Sequence, residues 1–265
     1  YLKANLGVLE ERSTLVETTI SQLPMPIVEQ VLQHNPRVVG LGVYVWNTTL
    51  CEQVARLLKA IRPDIHLVLG GPEISHETTE QALYEIADYV VCGEGEAAFS
   101  QLCTQLLDGQ EPSQKLLQGT APPMEKLVRP YRLYTDEDIQ KRVTYVEASR
   151  GCPYRCTFCL SSIDKAVRTV DADSFFADMN ELIERGARDF KFIDRTFNLN
   201  IAFSLAILEF FLNHPVQGFS LHFEMVPDRL PDELRAALQR FPPGMVQLEI
   251  GIQTFNPTVS KTIKR

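Results

Sequence analysis

The stretch Val143–Cys159, VTYVEASRGCPYRCTFC, runs from an apolar strand pattern into a loop that carries three cysteines. Cys152, Cys156 and Cys159 have the spacing C-x3-C-x2-C, with no fourth Cys or His close by. Soft thiolate ligands select zinc, copper(I) or iron–sulfur clusters. A cluster held by three thiolates keeps one iron open, and a metal with an open position can bind and activate a substrate. The loop therefore predicts a catalytic metal centre.

A zinc site and a set of structural thiols are the alternatives for this loop. Structural zinc usually takes four ligands from paired C-x2-C or C…H units, and the downstream residues His214 and His222 have no such pairing. A disulfide is disfavoured, because six Cys in 265 residues are far from a disulfide scaffold. Cys51, Cys92 and Cys103 fall in helix or strand patterns and are predicted to be small buried hydrophobic residues.

Strand and helix patterns alternate from Val143 onward. The predicted strands are Val143–Ala148, Phe190–Ile193, Phe219–Met225 and Val246–Ile250, and the predicted helices are Asp173–Arg185, Ala202–Leu212 and Asp232–Arg240. Four strand–helix units are half of a TIM-type barrel, and barrel chemistry gathers at the C-terminal ends of the strands. The cysteine loop follows the first of these strands, so residues 143–265 are predicted to be the first half of a partial barrel.

The N-terminal part, residues 1–109, shows a second alternation. Its predicted strands are Leu15–Ile20, Arg37–Val43, Ile65–Leu69 and Tyr89–Val91, and its predicted helices are Pro26–His34, Leu50–Ile61, Glu77–Ala87 and Glu96–Leu107. Continuous apolar strands between amphipathic helices indicate a parallel sheet covered on both faces, a doubly wound, Rossmann-like domain. Prolines interrupt any period in residues 110–142, which are predicted to be a linker.

Composition and charge limit the function classes. The chain is 45% hydrophobic and 23% charged, no apolar run reaches membrane-spanning length and no signal-peptide pattern opens it, so a reducing, cytoplasmic setting is expected. The formal net charge of -8 argues against a protein that grips nucleic-acid backbones. Because Tyr1 is not Met and Arg265 lies in a helical pattern, we expect the chain to be a piece of a longer polypeptide.

The motif of Cys152, Cys156 and Cys159 resembles that of the radical S-adenosylmethionine (SAM) superfamily. The resemblance implies that the three cysteines hold a 4Fe-4S cluster and that the amino and carboxylate groups of SAM chelate the open iron. It also implies a partial barrel of six strand–helix units, so the chain would be truncated at its C-terminus, with the remaining barrel beyond Arg265.

Polar side chains at the predicted strand ends suit a ligand such as SAM, which presents an ammonium, a carboxylate, a ribose diol and an adenine. By resemblance to the superfamily, the second strand end contacts the amino group, the third or fourth contacts the ribose, and the fourth lies near the adenine. The residues carried over to these parts are Asp194, Glu224, Glu249 and Gln253, with Phe158 beside the adenine. The alternative for each is a solvated cap or an ion-pair partner.

Two glycine-rich loops in the N-terminal part narrow the resemblance. Glycines at the carboxyl ends of parallel strands let a bulky ligand approach the backbone. Together with the doubly wound sheet, these loops resemble the cobalamin-binding radical SAM subfamily over nearly the whole chain. The cobalamin-binding residues that this implies are Gly70, Gly71, Pro72 and Glu73 in one loop, Gly93, Glu94, Gly95 and Glu96 in the other, and Tyr44, Trp46 and Asn47 against the lower cobalt face.

The chain departs from the common cobalamin motif D-x-H-x-x-G. Asp64-Ile65-His66 comes close, but Gly70 follows one residue late and His66 lies within a strand pattern, which favours a structural histidine. Gly93-x-Gly95-x-x-Ala98 also matches a loose dinucleotide fingerprint. We discount that match, because Glu94 and Glu96 would repel a pyrophosphate at the helix N-terminus.

The resemblance implies an enzyme in which an electron from the reduced cluster cleaves SAM to a 5'-deoxyadenosyl radical, which removes hydrogen from an unactivated carbon. Methyl transfer from cobalamin to a small-molecule substrate is the leading expectation, with oxidative cyclase-like chemistry as a variant, and an electron donor such as flavodoxin or ferredoxin as partner. One alternative is a radical SAM enzyme whose first domain binds no cobalamin. Another is a non-catalytic iron–sulfur electron carrier or sensor.

Overall fold

The computed structural model describes residues 1–162 and 166–265 and divides into two units, Tyr1–Arg129 and Pro130–Arg265. A four-stranded parallel sheet in the order β1-β2-β3-β4 forms the centre of the first unit. Its strands are β1 (Val38–Gly42), β2 (His66–Gly70), β3 (Tyr89–Cys92) and β4 (Leu116–Gln118). The helices are α1 (Pro24–Leu32), α2 (Thr48–Ile61), α3 (Ala82–Ile86) and α4 (Glu96–Leu107), with single 3-10 turns at Lys3–Asn5, Gly7–Arg12, Thr78–Glu80 and Met124–Lys126.

Helices cover both faces of this sheet. Leu67 and Leu69 of β2 share a buried cluster with residues of α1, α2 and α3, including Leu58. Val68, which lies between those two leucines, belongs to the cluster that contains Leu102 of α4. Each such side chain contributes about 1.5–3 kcal/mol when it is fully buried. A strand buried on both faces explains the continuous apolar run in its sequence.

The second unit contains a parallel sheet in the order β5-β8-β9-β10. The strands of this unit are β5 (Thr144–Val146), β6 (Ser149–Arg150), β7 (Arg168–Thr169), β8 (Asp189–Phe192), β9 (Ser220–Met225) and β10 (Val246–Ile250), and β6 pairs with β7 in a separate antiparallel ribbon. The helices are α5 (Asp136–Lys141), α6 (Ala172–Glu184), α7 (Ile201–Asn213), α8 (Asp232–Gln239) and α9 (Pro257–Thr262), with 3-10 turns at Pro130–Leu133 and Leu160–Ser162.

A phenylalanine cluster fills the layer between the β8–β9 sheet and its helices. Phe190, Phe192 and Phe223 from the strands are fully buried, as are Phe175 of α6 and Phe211 of α7. Their rings meet mostly at tilted or edge-to-face angles, the arrangement that aromatic pairs prefer. The predicted fold class, a doubly wound sheet followed by the strands of a partial barrel, is confirmed. None of the described helices has the length and hydropathy needed to cross a bilayer.

Three local predictions were wrong. Residues 15–20 form no strand. The helix predicted at residues 77–87 is divided, because Gln81 is extended, with φ -88° and ψ 137°, between a 3-10 turn and α3. Residues 110–142 are not free of strands and helices: Leu116–Gln118 pairs with β3 at the sheet edge, and a capping box between Thr135 and Asp138 begins α5.

Candidate functional site

The cysteine loop follows β5 and the short strand β6. Cys152 and Cys156 are buried, and Cys159 is partly exposed. The Cys159 N–H donates to the Cys156 carbonyl at 3.1 Å, which folds the C-x2-C half into a turn. Burial raises the pKa of Cys152, and the nearby Cys159 and Cys156 thiols raise it further. The loop thus carries two buried thiols and one partly exposed thiol between residues 152 and 159.

The three thiols of this loop are donors that suit an iron–sulfur cluster. Among the described residues, no group of three or more His, Cys, Asp or Glu side chains is arranged to hold a metal ion. In an iron–sulfur cube each thiolate binds a different iron, so its sulfurs lie farther apart than the ligands of one ion. A bound metal would also offset the cost of burying thiolates, because it favours their deprotonated form.

The C-terminal residues of the second unit contact this loop. The Thr157 N–H donates to the carbonyl of Ile263 at 3.1 Å. The Arg265 guanidinium donates to the carbonyl of Gly251 at 2.6 Å and lies 4.0 Å from the Cys156 sulfur. Its positive charge lowers the pKa of Cys152, although burial outweighs this effect. A cation is thus already present where thiolates would carry negative charge.

Asp194, which follows β8, is buried beneath the start of the loop. Its carboxylate accepts hydrogen bonds from the Ala148 N–H at 3.0 Å and from the Ser149 hydroxyl at 2.6 Å. Burial, with a smaller contribution from the charge of Glu147, raises the pKa of Asp194 to about 7. The side chain therefore ties the end of β8 to the end of β5 and does not point into open space.

Glu147 and Tyr131 extend this buried polar group. The Glu147 carboxylate accepts a bond from Arg150 at 2.8 Å, while its other oxygen is buried without a hydrogen-bond partner among the described residues. The Tyr131 hydroxyl accepts the Glu147 N–H at 2.9 Å, and burial raises the pKa of that phenol. A buried polar atom without a partner is costly and calls for an explanation, and here it lies five residues before the first cysteine.

One face of the β5-β8-β9-β10 sheet is polar. Tyr145, Lys191, His222 and Gln247 lie in register across the four strands. One pair further along, Glu224 lies beside Glu249 on β9 and β10. The barrel interior is lined by alternate strand residues, and the opposite face of β8 and β9 is occupied by phenylalanines. Carboxylates on neighbouring strand ends thus share the open face.

These carboxylates have basic neighbours. The Arg195 guanidinium lies 3.4 Å from Glu224. His222 Nε2 lies 3.2 Å from a Glu249 oxygen, within ion-pair distance but without hydrogen-bond geometry. Glu249 is exposed, and Gln253 is exposed with a left-handed φ of 68°. Acidic and basic groups on one open surface can bind a zwitterionic ligand.

In the first unit, glycines form the carboxyl edge of the sheet. Gly71 has a φ of 110°, and a Cβ at this position would lie 2.5 Å from the carbonyl oxygen of Val43. Gly93 has a φ of 78° and faces Gln118 and Gly119. Only glycine fits the Gly71 position without backbone movement. The two loops therefore leave their backbone accessible to a ligand at this edge.

An aromatic pair stands after β1 at the same edge. The rings of Tyr44 and Trp46 are stacked with centroids 4.8 Å apart and planes at 11°, and Trp46 is 64% exposed. The Asn47 side chain accepts the Tyr44 N–H at 2.8 Å and donates to the Gly42 carbonyl at 2.9 Å. Asn47 thus fixes the turn that presents both rings.

A cavity of about 970 Å³ opens at this edge. Of the predicted cobalamin-binding residues, Tyr44, Asn47, Gly70, Gly71, Gly93, Glu94, Gly95 and Glu96 line it, whereas Trp46, Pro72 and Glu73 do not. His66 is the first residue of β2, at the amino end of the strand. It therefore lies at the opposite edge of the sheet from the glycine loops, in line with the structural role predicted for it.

The structure brings together some of the predicted SAM contacts and separates others. Glu224 and Glu249 are neighbours on the open face. Phe158 is 54% exposed within the cysteine loop. Asp194 is turned inward, so its contact with SAM stays a prediction. Glu147 and Arg265 were missed by sequence reasoning, although a Glu directly after an apolar strand is a signal that could have marked Glu147.

Two family models match the chain. Residues 7–103 match the B12 binding domain, and residues 146–265 match the radical SAM superfamily. The chain is 30% identical over 191 residues to 2-(S-pantetheinyl)-carbapenam-3-carboxylate methyltransferase of Streptantibioticus cattleyicolor, covering 62% of this chain and 28% of that protein. It is 30% identical over 148 residues to the cobalamin-dependent radical SAM methyltransferase TokK of Streptomyces tokunonensis, covering 47% of this chain and 22% of that one.

A solved structure shares the fold. The radical SAM methyltransferase TsrM from Kitasatospora setae, with cobalamin and a [4Fe-4S] cluster bound, superposes with a TM-score of 0.70 at 16% identity, over 98% of this chain and 57% of that one. The chain spans less than a third of the length of either curated relative named above. The two matched domains are those that the sequence analysis predicted, in the predicted order.

Proposed function

Because the chain belongs to the cobalamin-binding radical SAM family, we propose that it is the cofactor-binding part of an enzyme that transfers a methyl group to an unactivated carbon of a small molecule. The observation that carries this proposal is the set of three thiols on one loop after β5, in the unit whose sheet has a polar face. When bound, the cluster and cobalamin supply the electron for SAM cleavage and the methyl group. An electron donor such as flavodoxin or ferredoxin and a reducing, cytoplasmic setting belong to the same proposal.

The residues of the chain have distinct parts in this proposal. Cys152, Cys156 and Cys159 hold the cluster, and Arg265 balances their negative charge. Glu224 and Glu249 bind the cationic and hydroxyl groups of SAM, with Phe158 and Gln253 close to its adenine.

In the first unit, the proposed contacts to cobalamin depend mainly on backbone geometry. The glycines of the two loops would let the flat face of cobalamin approach the sheet edge, with Tyr44 and Asn47 against it and Trp46 stacked on Tyr44. The absence of a D-x-H-x-x-G motif in the sequence means that no histidine of that motif is available to the cobalt. We therefore expect bound cobalamin to have no protein imidazole ligand.

The test is anaerobic reconstitution with iron and sulfide, followed by cluster absorbance and 5'-deoxyadenosine formation from SAM. We expect Cys156→Ala to lose most of the charge-transfer absorbance and at least 99% of 5'-deoxyadenosine formation, because a cluster with two protein ligands is released or inactive; these are about 100-fold effects. The matched control is Cys103→Ala, which removes a buried thiol of α4 far along the sequence from the loop. Full SAM cleavage in Cys156→Ala would refute the ligand assignment.

A second candidate is an enzyme whose first unit binds no cobalamin, and corrin retention distinguishes it from the first. Hydroxocobalamin is added to the reconstituted protein, which is then desalted. Retention of the corrin absorbance supports the first candidate, whereas SAM cleavage without corrin retention supports the second. A cluster without any SAM cleavage supports an electron carrier or sensor.

A further inference from the structure

Two segments of the second unit carry positive charge without any negative charge. Residues 148–162, which include the cysteine loop, contain Arg150 and Arg155 and no acidic residue. Residues 251–265, which follow β10, contain Lys261, Lys264 and Arg265 and no acidic residue. The whole chain has a formal net charge of -8, so these two segments depart from the acidic character of the rest of the protein.

Hydrogen bonds bring the two segments together. The Thr157 N–H donates to the Ile263 carbonyl at 3.1 Å, so the next residue, Lys264, lies beside the cysteine loop. The Arg265 guanidinium lies 4.0 Å from the Cys156 sulfur. The five basic residues therefore belong to one surface, which we call the basic surface, around the thiols of the loop.

Asp228 and Arg229, which follow β9, also act on the cysteine loop. Burial raises the pKa of Tyr154, the charge of Asp228 raises it further, and Arg229 and Arg265 lower it. Asp228 and Arg229 are adjacent in the sequence and both exposed, so their opposite charges largely cancel for a distant partner. The basic surface therefore keeps a net positive charge.

Three cations of the basic surface are exposed and unpaired. Arg155, Lys261 and Lys264 are exposed, and in the part of the chain that the structure describes no acidic side chain forms an ion pair with them. By contrast, the exposed Lys141 of α5 pairs with Glu137 at 2.8 Å. Unpaired charges of one sign attract a partner of the opposite sign.

The same two segments expose apolar side chains. Phe255 is 89% exposed, Phe158 54% and Val259 44%. Protein–protein interfaces combine aromatic side chains with a polar, solvent-accessible rim. A nucleic-acid strand is a less suitable partner, because the acidic chain as a whole would repel its phosphates. The basic surface therefore fits an acidic protein.

The proposed chemistry requires an electron from outside the chain, and the basic surface surrounds the thiols of the proposed cluster. We propose that the basic surface is the docking site of an acidic one-electron carrier protein that reduces the cluster. This inference rests on the proposed function. One electron leaves the carrier, which is oxidised, and enters the cluster, which is reduced, while no bond forms or breaks.

A few cations are sufficient for such a contact. Electron-transfer encounters bury less than about 1,200 Å² of surface. Opposite charges raise their association rates by about 10–10³-fold, and salt screens this effect. The predicted signature is therefore a rate of cluster reduction that depends on salt and on the charges of Lys261 and Lys264.

The test measures reduction of the reconstituted cluster by the hydroquinone of an acidic flavodoxin, in an anaerobic stopped-flow instrument. At about 0.01 M ionic strength, where the Debye length is about 30 Å, we expect the double variant Lys261→Glu/Lys264→Glu to react at least about tenfold more slowly than wild type. Its rate should also lose most of its dependence on salt. Photoreduced 5-deazariboflavin, a small uncharged reductant, should reduce both proteins at rates within about twofold.

Two further variants isolate the charge. Lys261→Arg/Lys264→Arg keeps both charges and should react at the wild-type rate with flavodoxin. Lys141→Glu reverses an exposed charge on α5, a helix that precedes β5, and should also leave the rate unchanged. Arg155→Glu gives the same comparison if the double variant forms no cluster.

Cluster absorbance, measured first in each protein, separates the possible outcomes. Equal flavodoxin rates in wild type and in the charge-reversed variants would overturn the docking proposal, while SAM cleavage would still support the proposed function. A wild-type chain that forms no cluster would overturn both. Unchanged flavodoxin rates together with binding of a single-stranded oligonucleotide that is lost in Lys261→Glu/Lys264→Glu would assign the basic surface to nucleic acid and would also overturn the proposal.

Discussion

The carboxyl edges of the two sheets offer different kinds of surface to a ligand. In the first unit the edge is made of backbone: Gly71 and Gly93 have left-handed φ angles, and a methyl group at Gly71 would meet the Val43 carbonyl. In the second unit the edge is made of thiols and of carboxylates such as Asp194, several of them buried. The first edge depends on shape and the second on charge. Adding one carbon atom should therefore lower the stability of the first edge, and gain or loss of one proton should change the stability of the second.

The largest effect that follows is a pH dependence specific to the second edge. The pKa of Asp194 is raised to about 7 in the folded protein, against about 3.9 for an unfolded aspartate. Between about pH 4 and 7 the folded state therefore binds more protons, and the free energy of unfolding falls as the pH rises. Relative to Asp194→Asn, we expect wild type to lose up to about 4 kcal/mol across this window.

The measurement is urea unfolding of both proteins at several pH values between 4 and 8. Asp194→Asn removes the titrating group with little change in size, so the difference between the two curves isolates this carboxyl. Parallel curves across this pH range would show that protonation of Asp194 does not change the free energy of unfolding.

Gly71→Ala tests the first edge. The added methyl group must adopt a left-handed φ and also displace the Val43 backbone, so we expect a loss of about 3 kcal/mol in the free energy of unfolding and no retention of cobalamin after desalting. Gly109→Ala is the control, because Gly109 has a φ of 76° but nothing within 4 Å of its Cβ position. It should lose only about 1 kcal/mol. Equal losses in the two variants would show that the left-handed φ, and not the close contact with Val43, causes the loss of stability in Gly71→Ala.

Asp194→Ala separates hydrogen bonding from charge. The Ala148 N–H loses its acceptor while it remains buried, which costs about 2 kcal/mol at pH 6. The exposed Asp189, at the start of the strand β8 that precedes Asp194, provides the control. Asp189→Ala should change the free energy of unfolding by less than about 0.5 kcal/mol. Thermal unfolding of both variants decides the point, and similar small shifts would contradict the positioning role of Asp194.

The smallest expected effect on stability is that of Glu249→Gln. Glu249 is exposed, and exposed ion pairs contribute about 0–1 kcal/mol, so we expect a change below about 0.5 kcal/mol. Its proposed contact with SAM should nevertheless make 5'-deoxyadenosine formation at least about tenfold slower. The exposed helix residue Glu233 offers the control Glu233→Gln, with unchanged rates. Normal SAM cleavage in Glu249→Gln would remove this residue from the proposed site.

The sequence predicted the parts of this molecule that depend on local pattern. α4 and β10 were found at their observed limits, and the cysteine spacing led to the family that the comparisons support. Contacts between residues that lie far apart in the sequence were not predictable. The strand Leu116–Gln118 lies in a proline-rich stretch and exists because β3 offers it an edge. The inward turn of Asp194 depends on the buried N–H of Ala148, which follows β5 and needs an acceptor.

Gly119 gives a similar lesson at the first edge. Its Cβ position overlaps the Glu94 carbonyl oxygen, so this glycine allows the loop after β4 to approach the loop after β3. A single glycine beyond a short strand gives no indication of such a partner, because the partner is defined only when both loops are folded.

The exposed ring after β1 also provides an optical probe. Trp46 is the one tryptophan in the sequence, and it stands 64% exposed at the glycine-lined edge of the first unit. Its fluorescence therefore reports on that edge, because the cysteine loop contains no tryptophan. A coloured macrocycle that binds beside the Tyr44–Trp46 stack would quench this emission, which gives a titration that is independent of catalytic turnover.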